Sequence, residues 1–220
     1  MKKLIIASCC LCISNFVYAE THWYGGVAAG KTYHKPKLSQ QTGGAKRNLS
    51  LPAKGADHGS LDKTKITDLR LGYHLNSQYS VEVDWRRRGW KAHGERAYYE
   101  VEQAKSQHKA LMVSGVYRLP MAYNLQAYAK GSVGLARNSL QGRLAQDDVN
   151  TLTYAKRAKT KAAYGVGAGV NLAVSKHINL GLDYQYANLG KSHSHKAANG
   201  SRLNSNYKGG ELMGSLTINF

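Results

Sequence analysis

Three groups of residues in this chain carry chemistry. The first is cationic. Arg86-Arg87-Arg88-Gly89-Trp90-Lys91 and Lys156-Arg157-Ala158-Lys159-Thr160-Lys161 are the two densest basic clusters. Guanidinium and ammonium groups at this density capture sulfate, phosphate or carboxylate through charge-assisted hydrogen bonds, with a steep salt dependence. The second group is a scatter of single charges, Arg70, Glu82, Asp84, Lys130, Asp183 and Glu211, set inside otherwise apolar or glycine-rich stretches. Buried charges must be paired, so these six are expected to form an internal polar plug. The third group is histidine and serine. Ser215 has no histidine near it in sequence, and His74 and His177 fall at turns, so no nucleophile with its base and orienting acid is legible. His193-Ser194-His195 puts two imidazoles on one face of an extended segment, but no third metal ligand is nearby, and solvated loop histidines are the simpler reading. The expectation is no catalytic residue, no metal and no cofactor.

The elements that hold these residues alternate with period two. Leu212, Leu216, Ile218 and Phe220 share one face of the last ten residues. Ile178, Leu180, Leu182, Tyr184 and Tyr186 do the same over 178–187, as do Tyr79, Val81, Val83 and Trp85 over 79–86 and Thr67, Leu69, Leu71 and Tyr73 over 66–75. Such alternation predicts strands with one apolar face. Four Gly- and Ala-rich stretches, 23–33, 109–118, 124–136 and 162–174, complete a set of eight, glycine being expected where a narrow lumen cannot hold a large side chain from every strand. Short turns at 75–78, 118–123 and 174–177 alternate with four long connections, roughly 34–63, 86–108, 137–161 and 189–207. The predicted fold is therefore all-β: an eight-stranded antiparallel transmembrane β-barrel with four long extracellular loops and short periplasmic turns. Period two alone fits equally an eight-stranded soluble barrel with its apolar face inward. Export, the terminal aromatic and the alternation of short with long connections favour the membrane.

Export is read from the first nineteen residues. Lys2 and Lys3 precede an apolar run from Leu4 to Ile13, and Val17-Tyr18-Ala19 ends in the small-x-small pattern of a cleaved signal peptide. Residues 1–19 are thus expected to be removed, leaving 20–220 as one barrel domain. Ile6-Ala7-Ser8-Cys9 has the look of a lipidation box, but cleavage there would leave an apolar run of only about four residues. All three cysteines lie in this segment, so cysteine chemistry is excluded from the exported chain.

Charge then points to function. The 220 residues hold 31 Lys and Arg against 13 Asp and Glu, a formal net charge of +18. Such an excess suits a polyanion partner. Nucleic acid is the wrong polyanion for an exported protein. Removal of Lys2 and Lys3 leaves +16, and each of the four long connections, taken to its flanking lysine, carries +4. The excess belongs to the extracellular side. Arg86 sits at the mouth and suits either the plug or the loops. Two partners fit the loop charge: lipopolysaccharide phosphates around the rim, or an anionic receptor or sulfated or sialylated glycan beyond the membrane.

Gly165-Val166-Gly167-Ala168-Gly169-Val170, then Ile178-Asn179-Leu180-Gly181-Leu182-Asp183-Tyr184-Gln185-Tyr186, then Leu189-Gly190 and Leu216-Thr217-Ile218-Asn219-Phe220 resemble the last three strands of small outer-membrane barrels. Trp23-Tyr24-Gly25-Gly26-Val27-Ala28-Ala29-Gly30 is similar to their first strand. That group holds the OmpA-like domains and the opacity (Opa-like) surface proteins, and the basic loops and single domain look closer to the latter. The resemblance covers the strands, about half of the chain. It implies a Gram-negative outer-membrane location, adhesion through extended loops, monomeric state, and an assembly signal for the insertion machinery in Leu216, Ile218 and Phe220. Opacity proteins concentrate length in their second and third loops, whereas here the first is longest, so a receptor is not carried over. The family is also filed under porin activity. A filled eight-stranded lumen argues against a conducting pore. The alternatives to an adhesin are a structural barrel serving envelope integrity through lipopolysaccharide, and a small passive porin.

Overall fold

The computed structural model describes residues 23–33, 36–52, 56–95, 97–121, 123–145 and 150–220. The signal-peptide reading of 1–19 lies outside the described residues. Ten strands follow one another: β1 Trp23–Thr32, β2 Lys37–Thr42, β3 Ala45–Leu49, β4 Gly59–His74, β5 Tyr79–Gly94, β6 Val101–Pro120, β7 Leu125–Ala145, β8 Thr151–Ala173, β9 Ile178–His193 and β10 Arg202–Asn219. Every pairing is antiparallel. Eight of the strands, β1, β4 and then β5 through β10, close into a ring through β1–β10, where Tyr24 faces Asn219 and Thr32 faces Glu211. The eight expected strands are this ring.

The short turns are built by local side-chain bonds. Asn76 Oδ1 accepts from the N–H groups of Gln78 and Tyr79 at 2.9 and 2.7 Å, an Asx turn. Ser175 Oγ accepts from the N–H of Ile178 in the same way at 3.1 Å. Between β6 and β7, Tyr123 and Asn124 both take positive φ, 58° and 61°, the pair that matches a tight hairpin to the twist of its strands.

Above these turns the outward face is an apolar belt. Val83, Leu111, Leu135, Val166, Leu182 and Ile218 are all exposed, and the ring carries this face all the way round. Trp23 packs edge-on to Tyr73, and Tyr79 lies against Tyr117, both with ring centres 5.1 Å apart, at the turn end of the belt. Leu216, Ile218 and Phe220 point out of the ring with this belt.

Among the described residues, the long connections are largely strand, with turns left at 97–100 and 194–201. Strand continues through residues 86–94, 101–108, 137–145 and 151–161, so the strands run well past the belt. Residues 34–63 contain the β2–β3 hairpin, turned by Gly43-Gly44. β2 pairs with β10 at Leu38↔Ser205 and Gln41↔Arg202, above the stretch where β10 pairs with β1. Outside the membrane the molecule is thus a sandwich: the upper parts of β5 to β8 on one side, β9, β10, β2 and β3 on the other. Leu38, Leu49, Trp90, Leu140, Tyr154 and Leu203 fill it. Tyr154 Oη, 2.7 Å from both Gln40 Nε2 and Ser201 Oγ, ties the two sides together.

The lumen beneath is a charge network. Lys130 Nζ donates to Glu82 and, at 2.8 Å, to Asp84. Arg70 reaches Asp183 at 3.1 Å, and Arg86 lies 3.2 Å from Asp84 and 3.4 Å from Asp68. Arg118 donates to Tyr24 Oη at 2.8 Å, and Tyr24 donates to Glu82 at 2.8 Å. One layer higher, Arg88 donates from Nε and Nη2 to the two oxygens of Glu211, which also accepts from Tyr207 at 2.9 Å. The cations Arg70, Arg86, Arg88, Arg118 and Lys130 equal in number the carboxylates Asp68, Glu82, Asp84, Asp183 and Glu211. Their charges cancel, so the +18 of the chain lies wholly outside this set. Room for the network comes from the inward glycines. A Cβ on Gly72 would sit 2.1 Å from the Tyr24 ring.

Arg88 and Glu211 are both fully buried, so removing one strands the other as an uncompensated charge, at a cost of about 3–5 kcal/mol. Glu211→Ala should therefore lower the temperature at which the heat-modifiable gel band converts. A paired Arg88→Met, Glu211→Leu variant should recover most of the loss.

Candidate functional site

The two basic clusters divide between faces of the wall. Arg86 and Arg88 point into the lumen and are buried, and Trp90 is in the sandwich core. This corrects the expectation that all of Arg86, Arg87, Arg88, Trp90 and Lys91 present a binding surface: strict alternation sends 86, 88 and 90 inward, where Asp84, Glu211 and the apolar core receive them. Only Arg87 and Lys91 face outward. In the second cluster a bulge at Ala155 and Lys156 opposite Gln141 resets the alternation. Lys156 faces outward, and Arg157, Lys159 and Lys161 take the opposite side of β8. The six plug residues lie inside the ring, with Asp68, Arg86, Arg88 and Arg118 added to them.

The outward cations fall into register. The uppermost apolar row of this wall is Trp85↔Leu111↔Leu135, and directly above it stands Arg87↔Lys109↔Arg137. After an uncharged row, Gly89↔Gln107↔Ser139, comes Lys91↔Lys105, and beyond that Arg143. Side chains directly opposite one another have Cβ atoms about 5 Å apart, and like charges so placed repel. Two acids lie near this set among the described residues: Asp62 stands opposite Lys91, and Glu102 accepts from Thr151 at 3.4 Å beyond Arg143. A concavity of about 590 Å³ is lined by Lys91, Lys105, Arg143 and Lys156 together with His93, Gln103 and the acid Asp62. A smaller one of about 190 Å³ lies below, between Gln107, Lys109, Arg137, Ser139 and Lys156. The stack thus carries two cationic levels, one at the lip of the apolar belt and one toward the tip of the sandwich, with an uncharged row between them.

One further constellation escaped the sequence reading. Ser106 Oγ is 3.0 Å from His108 Nε2, and His108 Nδ1 is 2.7 Å from Asn138 Oδ1. That is the order of a nucleophile, its base and an orienting amide. All three side chains have zero exposure. Asn138 Nδ2 donates to Leu189 O at 2.6 Å, and the His108 ring lies against Tyr207. The group therefore bridges the two sides of the sandwich where the polar lumen gives way to the apolar core, sealed from any substrate. The i, i+2 spacing of Ser106 and His108 was the signal, visible only once 101–108 is read as strand. His193, by contrast, gives its Nδ1 to Asn204 Oδ1 at 2.5 Å on the neighbouring strand, while His195 is exposed.

The family model described as outer membrane protein beta-barrel domain matches residues 4–220. The chain belongs to this outer-membrane barrel family. Its location is accordingly the outer membrane. Among solved structures, the outer membrane protein OprG from Pseudomonas aeruginosa is 13% identical, with 91% of this chain and 96% of that one covered and a TM-score of 0.57. Neisserial surface protein A is 17% identical over 90% of this chain and 97% of its own, at a TM-score of 0.49. Ail, the attachment invasion locus protein of Yersinia pestis, crystallised with the heparin analogue sucrose octasulfate, is 13% identical over 90% and 99%, at 0.43. At these identities the likeness to OprG is one of fold, and the other two superpose less well. No curated protein matches the chain.

Loss of a buried hydrogen-bond partner costs about 1–3 kcal/mol. His108→Ala should lower the unfolding free energy by that measure, read from denaturant unfolding, while leaving the barrel assembled. A fluorophosphonate probe should leave Ser106 of the folded barrel unlabelled.

Proposed function

We propose that this barrel is a surface-interaction protein of the opacity type, without catalytic activity, that captures an anionic partner on the outward face of β5 to β8. The observation that carries this reading is the direct opposition of like charges. Arg87, Lys109 and Arg137 repel one another across the strands, as do Lys91 and Lys105, and Asp62, opposite Lys91, is the one acid directly across from any of them among the described residues. A face that destabilises the protein by itself is offset when an anion sits on it. A sulfated or sialylated glycan suits the upper concavity: it is open, walled by four cations, and beyond the reach of the lipid. Arg143 supplies the planar fork that matches sulfate or carboxylate, and the lysines add point charge.

A second reading rests on height. The Arg87–Lys109–Arg137 row stands immediately above Trp85, Leu111 and Leu135, where the outer leaflet presents its phosphates, so lipopolysaccharide suits the lower row as the glycan suits the upper. The barrel would then be anchored in its envelope by the same face that meets the host. Leu216, Ile218 and Phe220, presented outward on β10, serve in this proposal as the mark read by the assembly machinery, and residues 1–19 as the export signal. A monomer suffices, because the site lies within one wall.

Refolded barrel should bind immobilised heparin with an affinity that falls steeply with salt. Lys91→Ala, Lys105→Ala and Arg143→Ala combined should weaken heparin at least tenfold and spare lipopolysaccharide, whereas Arg87→Ala, Lys109→Ala and Arg137→Ala should do the reverse. Heparin binding unchanged in the first variant would sink the glycan reading. In a planar bilayer the barrel should give no discrete openings, because the charge network crosses the lumen.

A further inference from the structure

The wall opens between β8 and β9, and the resulting edge is distinct from that of β3, which pairs only with β2. β8 and β9 pair from Ala173↔Asn179 up to Tyr164↔Asn188, and there the ladder ends. Gly190, at φ 83°, turns β9 away. β9 then passes beneath β7, where Leu189 O receives Asn138 Nδ2, and it stays paired with β10 throughout. β8 continues upward alone on that side. The next bond it makes there is from the His195 N–H to Ala155 O, at 3.1 Å. Residues 156–162 are therefore an open strand edge among the described residues, about 20 Å long at roughly 3.3 Å per residue, and all of them but the half-buried Arg157 are exposed.

The two faces of this edge differ in kind. Arg157, Lys159 and Lys161 stand at every second position on one face. Ala158, Thr160 and Ala162 occupy the other. No acidic residue occurs anywhere from Thr151 to Ala173. The side chains opposite the three cations on β7 are Leu140, Asn138 and Ala136, none of them a counter-ion.

We propose that this edge takes up an extended acidic segment of a partner protein as an added strand, with carboxylates at alternate residues against Arg157, Lys159 and Lys161. Small or β-branched side chains of the segment lie over Ala158, Thr160 and Ala162. An unpaired strand edge offers a row of backbone donors and acceptors that only another peptide matches, while the alternating side chains select which peptide. A second copy of this chain does not fit, because its own edge brings the same three cations. The site is separate from the glycan face: its three cations lie on the opposite side of the sheet from Lys91, Lys105 and Arg143, and it stands or falls independently of the function proposed above.

The test uses the full refolded barrel in detergent and a labelled seven-residue peptide alternating Glu with Val, followed by fluorescence anisotropy at low salt. Binding should weaken at least tenfold in the combined Arg157→Ala, Lys159→Ala, Lys161→Ala variant, checked for folding by its heat-modifiable band. It should persist in the Lys91→Ala, Lys105→Ala, Arg143→Ala variant. On the native barrel, N-methylating alternate amides of the peptide should abolish binding in one of the two frames and spare it in the other. Equal binding of both N-methylated peptides would show attraction by charge alone and overturn the added strand. So would failure of the peptide to bind at all. Self-association of the triple variant without peptide binding by the native barrel would mean that the three cations merely guard the edge.

Discussion

A bilayer core offers nothing to an unpaired amide, so the ring of eight strands must close, and its closure falls to β10. Inside the membrane β10 takes β1 as its neighbour. Above it the same edge is handed to β2. Everything that distinguishes this molecule from a plain cylinder follows from that exchange. Above the membrane the ring does not persist: β3 does not pair with β4, the β8–β9 ladder has ended, and the strands pack as two layers around an apolar core. β9 is drawn under β7 in the process, and β8 is left with an edge. The open edge occurs only where water can satisfy it.

The lumen obeys a second constraint, electrical rather than geometric. Five cations and five carboxylates interlock across an interior from which water is largely excluded, and each is held by at least one opposite charge. Pairing of this kind adds little net stability over apolar packing, but it is unforgiving of partial loss. Because the interior is neutral, the large positive charge of the chain has nowhere to lie but outside. The cationic outer face and the balanced plug are two results of one accounting of charge.

Much of this was legible in the sequence, and the failures have physical causes. Period-two runs such as 178–187, and the glycines of 162–174, marked the ring. The plug charges stood out because they interrupt apolar runs. Arg88 was misassigned because its counter-ion, Glu211, lies 123 positions away, and three consecutive arginines look like a solvated run. The faces of Lys156 to Lys161 were hidden by a one-residue bulge, which leaves no mark in composition. The β2–β3 hairpin is mostly polar. Only its Gly43-Gly44 turn and the lone Leu38 and Leu49 hinted at a cap, since their partners come from strands far along the chain. The Ser106–His108–Asn138 group was invisible for the same reason as Arg88: its meaning depends on which residues are strand.

The exchange of partners on β10 also bears on how much of the structure rests on one strand. Below Glu211 this strand seals the ring, and above Asn206 it anchors the lid. The two tasks fall to one continuous segment, separated by a bulge at Tyr207 and Lys208. Sealing and roofing are thereby joined in one strand. Without β10 the barrel has neither a closed wall nor an anchor for β2 and β3, because both draw on this one strand.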